Sequence, residues 1–457
     1  MRATLLLSTL LTLLAASPPA LSPGRLAPAS AAPAAGTAAT APRVAGRLSD
    51  AELLDAVQRR TFRYFWDFGH PVSGLARERS NTTREYGPEV VTTGGSGFGV
   101  MAIVVATEHG WITRPQALER MLKLTAFLAR ADRFHGVFPH WMNGASGRTF
   151  PFSRLDDGGD IVETAYLFEG LLTARQYFDR GDPAEIELRR RIDAMWRAVE
   201  WTWHVPPGQA ALMWNWSPRH GFAVNATVSG WNEALITYVL AAGSPTHAID
   251  TTVYHHGWAR DGAMCNGQSY FGLVLPLGPA LGGPLFFEHY SFLGLDPHGL
   301  VDRYADYGRQ CVNHTLINRE HCIRNPHHFR GYGAGSWGLT SSDIPGGYSG
   351  HSPTRDTGVI TPSAALSSFP FTPEYSMQAL RHFHDDLGGR LWGDYGFADA
   401  FDETRGWVAP SYLAIDQGPI IGMIENHRSG LLWHLFMSCP EVQRGLRRLG
   451  FASPYLR

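Results

Sequence analysis

Apolar positions recur at helical spacing along this chain in two kinds of segment. In the first kind, one stripe is apolar and the opposite face is charged. Leu54, Val57, Thr61, Tyr64, Phe65 and Phe68 make such a stripe in segment 51–68, behind Ser49 and Asp50 as N-cap candidates. Leu118, Met121, Leu122, Thr125, Leu128 and Ala129 make another, opened by Thr113 and Pro115. Segment 184–204 carries Arg189, Arg190, Arg191 and Arg197 on a wet face. In the second kind, 92–108 and 160–177, apolar residues run all the way round, which predicts helices buried on both sides. The glycines from Gly94 to Gly99 are expected to let such helices pack closely. The two kinds alternate, as two concentric rings of helices require, so the expected fold class is all-α. The stretch 204–373 is rich in Gly, Pro and Trp and weakly periodic, predicting long ordered loops that form a functional cleft.

Not all of the chain belongs to that pattern. Arg2 precedes an apolar run from Leu5 to Ala16, so residues 1–21 read as a signal peptide and the expected location is periplasmic or secreted. The Ala/Pro tract 22–46 has too few large apolar side chains to form a core and reads as a linker. Residues 47–457 are then expected to form one catalytic domain, a monomer. The net charge of -2 supplies no field for nucleic acid or anionic lipid, so neither nucleic acid nor membrane insertion is expected after leader removal. Charged residues are 18% of the chain and aromatics 12%, a balance that suits an uncharged, stacked partner. No metal or cofactor is expected: the His255-His256 and His327-His328 pairs lack ligand spacing, and no CxxC or HExxH occurs. Of four cysteines, Cys311 and Cys322 could close a short loop, with a bridge and free thiols equally open.

Candidate chemistry concentrates in the run Asp156-Asp157-Gly158-Gly159-Asp160-Ile161-Val162-Glu163. On a helix Asp160 and Glu163 share a face, with Asp156 at its N-terminal edge. Capping and helix-dipole effects account for Asp156 or Asp157 alone, but not for Glu163 among Ile161, Val162, Ala165 and Phe168. Further acids stand in apolar settings: Glu233, Asp402, Asp416 and Glu425. Glycosyl transfer needs one carboxylic acid to protonate the leaving oxygen and a carboxylate to activate water or attack carbon. Trp141, Trp214, Trp231, Trp337, Trp392 and Tyr348 supply candidate faces for pyranose rings, although some must belong to the core. A G-x-S-x-G elbow and a Gly-Lys-Ser/Thr phosphate loop are both missing.

Several motifs together carry a resemblance: Thr61 to Trp66, the Asp156 to Glu163 run with Thr164-Ala165, Trp231-Asn232-Glu233, Glu288 to Phe292, Cys322 to Pro326, Trp337 to Thr340 with Ser342-Asp343, and Ile415 to Pro419. The chain resembles the glycoamylase-like family that includes bacterial endo-β-1,2-glucanases of glycoside hydrolase family 144. The resemblance implies an (α/α)6 barrel, or toroid, and inverting attack on a neutral β-1,2-glucan without cofactor, releasing short oligosaccharides such as sophorose. It implies Glu233 as general acid and Asp416 as general base, Asp160 and Glu163 at the cleavage point, and Asp156 in the pocket. Arg63, His289, Tyr290 and Tyr348 match motif positions that would face the cleft, beside the platforms Trp141, Trp231, Trp337 and Trp392. The alternatives are an exo-acting or transglycosylating enzyme on the same glucan, a non-catalytic glucan-binding protein, and a polysaccharide lyase, whose uronate an acidic pocket would repel.

Overall fold

The computed structural model describes residues 47–81 and 87–456. The signal peptide and linker expected over 1–46 lie outside them. α1 (Asp50–Trp66) begins with a reciprocal cap: Ser49 Oγ accepts from the Glu52 N–H and the Glu52 carboxylate accepts from the Ser49 N–H at 2.8 Å. Leu53, Val57, Phe62 and Phe65 turn inward from it. α2 (Thr93–Glu108) is buried along almost its whole length, α3 (Arg114–Leu128) on one face, and α4 (Ile161–Tyr177) again almost entirely. α5 (Pro183–Arg197) returns to one buried stripe, and α6 (Leu235–Gly243) is buried throughout. After α7 (Tyr307–Arg324) come α8 (Pro362–Leu366), α9 (Pro373–Arg381), the short α10 (Gly388–Leu391), the buried α11 (Ala414–Arg428), α12 (Leu431–Met437) and α13 (Pro440–Leu449).

The buried helices pack on one another, α2 between α4 and α11, and α4 also against α6. The one-faced helices lean on them: α1 on α11 and α2, α12 on α4, α13 on α6. This two-layer ring is the expected (α/α)6 toroid. The strands are short antiparallel pairs in the connections, such as Gly159–Asp160 with Asn215–Trp216 and Ser341–Ile344 with Gly347–Gly350. No helix among the described residues is long and apolar enough to cross a membrane.

Two expectations change, and a question left open, the state of Cys311 and Cys322, is decided. Segment 184–204 is not one helix: α5 stops at Arg197 and a 3-10 turn, Trp201–His204, follows. The stretch 204–373 is not all loop, since it holds α6, α7 and α8. α7 escaped because its buried side is largely polar, Gln310, His314, Thr315, Asn318 and His321, so no apolar period marks it. Cys311 and Cys322 are both free and buried on α7. Their separation along one helix is about 16 Å, far beyond the reach of a disulfide. Cys311 Sγ instead donates to Glu288, a buried carboxylate that also receives Trp231 Nε1, Gln310 Nε2 and His314 Nδ1.

One buried acid of α4 has no evident chemical task. Glu169 is fully enclosed; its Oε1 accepts the Gly294 N–H at 2.8 Å and its Oε2 has no partner among the described residues. Burial holds this carboxyl well above its ordinary range, so it folds as a neutral acid. A folded pKa raised above the unfolded one contributes stability that is complete below the unfolded value and lost as pH rises towards the folded one, by at most about 1.4 kcal/mol per pH unit. Thermal unfolding across neutral to mildly alkaline pH should therefore show Glu169→Gln losing less stability than wild type. Parallel curves for the two proteins would show that Glu169 does not titrate there.

Candidate active site

The acidic run folds into a strand that turns straight into a buried helix. Asp160 pairs with Asn215 across the strands and caps α4: its Oδ1 accepts the N–H groups of Val162 and Glu163, both at 3.0 Å. Capping thus belongs to Asp160, not to Asp156 or Asp157. Asp160 Oδ2 accepts from His140 Nδ1 at 2.9 Å and from Asn215 Nδ2 at 3.4 Å. Asp157 turns away to Ser217 and Arg219. Asp156 Oδ2 accepts from Asn215 Nδ2 at 2.9 Å, whereas its buried Oδ1 has no partner among the described residues. Burial, then the charge of Asp160, raises the Asp156 carboxyl to about 7.

Glu163 sits one turn further on, where its Oε2 accepts the Gly94 N–H at 2.7 Å. Gly94 admits it because a Cβ there would lie 2.7 Å from that oxygen. Burial raises the Glu163 carboxyl, and the nearby His140 opposes the rise. His140 in turn is flanked by Asp160 and by Glu163 Oε1, 3.9 Å from its Nε2. Burial disfavours its charged form, but Glu163, Asp160 and Asp156 outweigh this and lift it to about 9. His140, Asp156 and Asp160 bring possible ligand atoms within 4.8 Å of one another. A protonated His140 already supplies the countercharge that a cation would bring there.

Glu233 lies in the turn before α6, its carbonyl accepting from Tyr166 Oη at 3.2 Å and from Ser291 Oγ. Burial, then the charges of Glu163 and Asp160, lifts its carboxyl to about 7. Asp416, in the first turn of α11, lies in the field of Asp399, and its buried Oδ2 has no hydrogen-bond partner among the described residues. Burial and the charge of Asp399 push it well above the carboxylate range. Tyr290 connects the two sides, since its buried phenol feels both Asp416 and Glu233. Tyr348, on the 341–350 hairpin, is 45% exposed, yet its hydroxyl is desolvated and lies in the field of Asp416 and Asp399. Trp141 packs beside His140 with Phe150 and Phe152, next to the acidic run.

The expected cluster therefore comes together around Asp156, Asp160, Glu163, Glu233, Asp416, Tyr290, Tyr348 and Trp141. Other expected ligands do not join it. Trp337 is fully enclosed in the core that packs beneath α8 and α9, so it has no face to offer. Trp231 is core too, donating to Glu288 at 3.1 Å amid Trp258, Phe292 and Tyr307. His289 pairs with Ser368 Oγ at 3.0 Å, and burial drops its imidazole to about 3. Arg63 is a surface residue paired with Asp67 at 2.8 Å, and Trp392 packs on Phe397 and Arg60. Trp214 lends its carbonyl to Ile161 N at 3.0 Å and packs against the main core. Asp402 pairs with Arg405, and Glu425 with His109, Gln58 and Ser429. Sequence reasoning missed His140, Asn215 and Asp399. Asp399 bore a usable signal, a lone acid inside Phe397-Ala398-Asp399-Ala400-Phe401.

The chain is similar in sequence and fold to known proteins. A family model described as "Putative glucoamylase" matches residues 225–440. An endo-β-1,2-glucanase from Chitinophaga pinensis, solved with sophorotriose and glucose, is 54% identical, covering 90% of this chain and 100% of that one with a TM-score of 0.88. A protein from Bacteroides uniformis solved under the same glucoamylase description is 58% identical, with the same coverage and TM-score. An exo β-1,2-glucooligosaccharide sophorohydrolase acting at the non-reducing end, from Parabacteroides distasonis, is 44% identical over 88% of this chain, which spans only 58% of that relative. The chain belongs to the glycoamylase-like family, whose members include bacterial β-1,2-glucanases.

Proposed function

We propose that this protein is a glycoside hydrolase that cleaves β-1,2-glucan within the chain and with inversion, after export to the periplasm or beyond. The observation that carries the reading is Glu233, a half-buried carboxyl lifted to about 7 that shares the neighbourhood of Tyr290 with Asp416 from another element. Glu233 protonates the departing glycosidic oxygen as C1–O breaks, and Asp416 takes a proton from the water that attacks C1 from the opposite face. Asp160, Asp156 and Glu163, locked by His140, Asn215 and Gly94, form the floor on which sugar hydroxyls are bound. Tyr348 and Trp141 provide ring faces at its rim. Internal cleavage is favoured by 54% identity across the whole of an endo-acting relative, against 44% across part of an exo-acting one.

Incubation with linear β-1,2-glucan, with products sized over time, tests this. Internal cleavage gives a ladder of oligosaccharides early and sophorose late. Sophorose alone from the first minutes would mean an exo enzyme, products longer than the substrate a transglycosylase, and binding without new reducing ends a lectin-like protein. Inversion requires that newly formed ends appear first as the α-anomer by NMR. Because Glu233 must be protonated and its carboxyl sits at about 7, kcat/KM is expected to fall as pH rises through about 7. A rate that stays level well above neutrality would remove Glu233 from the acid role.

A further inference from the structure

Glu288 is 0% exposed, so no substrate reaches its carboxylate, yet it is tied to the turn that carries Glu233. Its Oε1 accepts from Gln310 Nε2 at 2.9 Å and Trp231 Nε1 at 3.1 Å, and its Oε2 from Cys311 Sγ at 3.4 Å. His314 Nδ1 lies 2.7 Å from the same Oε1. The other ring nitrogen of His314, Nε2, is 3.0 Å from the Gly283 carbonyl, which can only accept. Both ring nitrogens thus face acceptors, and Glu288 and His314 form an enclosed carboxylate–imidazolium pair. The ring is lodged where Gly282 leaves room, since a Cβ there would lie 2.0 Å from His314 Cδ2. Such a pair resists displacement, because moving either partner leaves a buried charge uncompensated.

Two short routes run from this pair to Glu233. Trp231, two residues ahead of Glu233, donates to Glu288 and is wedged among Trp258, Phe292 and Tyr307. Ser291, three residues after Glu288, reaches the same turn from the other side: its Oγ donates to the Glu233 carbonyl and accepts the Ile236 N–H at 3.0 Å. Ala234, at the N-cap of α6, has no side-chain acceptor for the first N–H groups of that helix, so Ser291 serves in its place. Residues 229–234 belong to no helix or strand, and the position of Glu233 therefore depends on these ties.

We propose that Glu288, paired with His314, is a positioning residue for Glu233, fixing from both sides the turn that presents the acid to the departing oxygen. The inference rests on the reading of Glu233 as general acid. No bond forms or breaks at Glu288 or His314, and neither gives up a proton during turnover. Their contribution is geometric: a displacement of about 1 Å at a proton donor costs about 100-fold in rate.

Trp231→Phe tests this by removing the N–H that reaches Glu288. Trp258→Phe is the control, since it removes the same atoms from a neighbouring enclosed ring whose Nε1 has no partner among the described residues. Trp231→Phe should lower kcat on β-1,2-glucan by about 10–100-fold with KM little changed. The loss should be much smaller on an activated aryl glycoside, whose leaving group needs no proton. Its alkaline limb should also move to lower pH, because a loosened turn admits water to a carboxyl that burial, and then the charges of Glu163 and Asp160, lift to about 7. Trp258→Phe should keep the wild-type ratio of rates on the two substrates and the wild-type limb, even where its denaturation midpoint falls as far. Glu288→Gln, which keeps the shape but removes the charge opposite His314, should repeat the selective loss. A Trp231→Phe protein with the wild-type substrate ratio, or with an unmoved limb, overturns the proposal, as does a folded Glu288→Gln protein with the wild-type ratio. The reading of Glu233 fails separately, if Glu233→Gln slows both substrates equally.

Discussion

Glu233→Gln is expected to lower kcat on β-1,2-glucan by about 10²–10⁴-fold while KM changes little, because the group acts mainly on the departing oxygen. The substitution keeps the side-chain shape, and the peptide stays pinned, since Tyr166 Oη and Ser291 Oγ hold the carbonyl rather than the carboxyl. What disappears is a proton that burial and the neighbouring acids keep in place up to about pH 7. The loss should shrink for an activated aryl glycoside whose leaving group needs no protonation. Asp416→Asn, lacking the acceptor for the water's proton, should stay slow on both substrates. If Glu233→Gln turned over normally and Glu163→Gln did not, the two roles would have to be exchanged. Glu163 is a poorer donor to begin with, because its Oε2 already accepts the Gly94 N–H and His140 lies beside it.

How much of this was legible in the chain depends on the kind of signal. α2 and α4 announced their burial by having no polar face, and the acids at the start of α4 could be placed because helical offsets are short-range. Glu163 was recognisable since capping could not explain it so far into the helix. His140 was not, because its meaning comes from Asp160 and Glu163, which lie some 20 residues on and reach it only after the chain turns back. Asp399 is met in the same way by the Asp343 N–H, 56 residues away in the chain. Aromatic residues were read least well: Trp337 and Tyr348 look alike as candidate platforms, yet one is fully enclosed and the other 45% exposed. Burial of a lone aromatic is decided by tertiary packing that no local period encodes.

The glycines of α2 carry the largest expected effect on stability. At Gly97 an added Cβ would lie 2.1 Å from the Tyr166 carbonyl oxygen, and at Gly170 it would lie 2.0 Å from the Gly97 carbonyl oxygen. The contact is reciprocal, and both obstacles are backbone, so no rotamer change relieves it. α2 and α4 would have to separate, unpacking Phe98 from Tyr166 and withdrawing the Gly94 N–H from Glu163. Ala is a better helix former than Gly by about 1 kcal/mol, which offsets only part of an overpacking cost of about 3 kcal/mol or more. Gly97→Ala should therefore unfold at markedly lower denaturant or be recovered only as aggregate, and any folded fraction should bind β-1,2-gluco-oligosaccharide weakly. Gly389→Ala is the control, since a Cβ there meets nothing within 4 Å. It should be neutral, or stabilising by up to about 1 kcal/mol. Equal denaturation midpoints for the two variants would mean that α2 and α4 slide apart freely, and the site's floor would then not depend on their close contact.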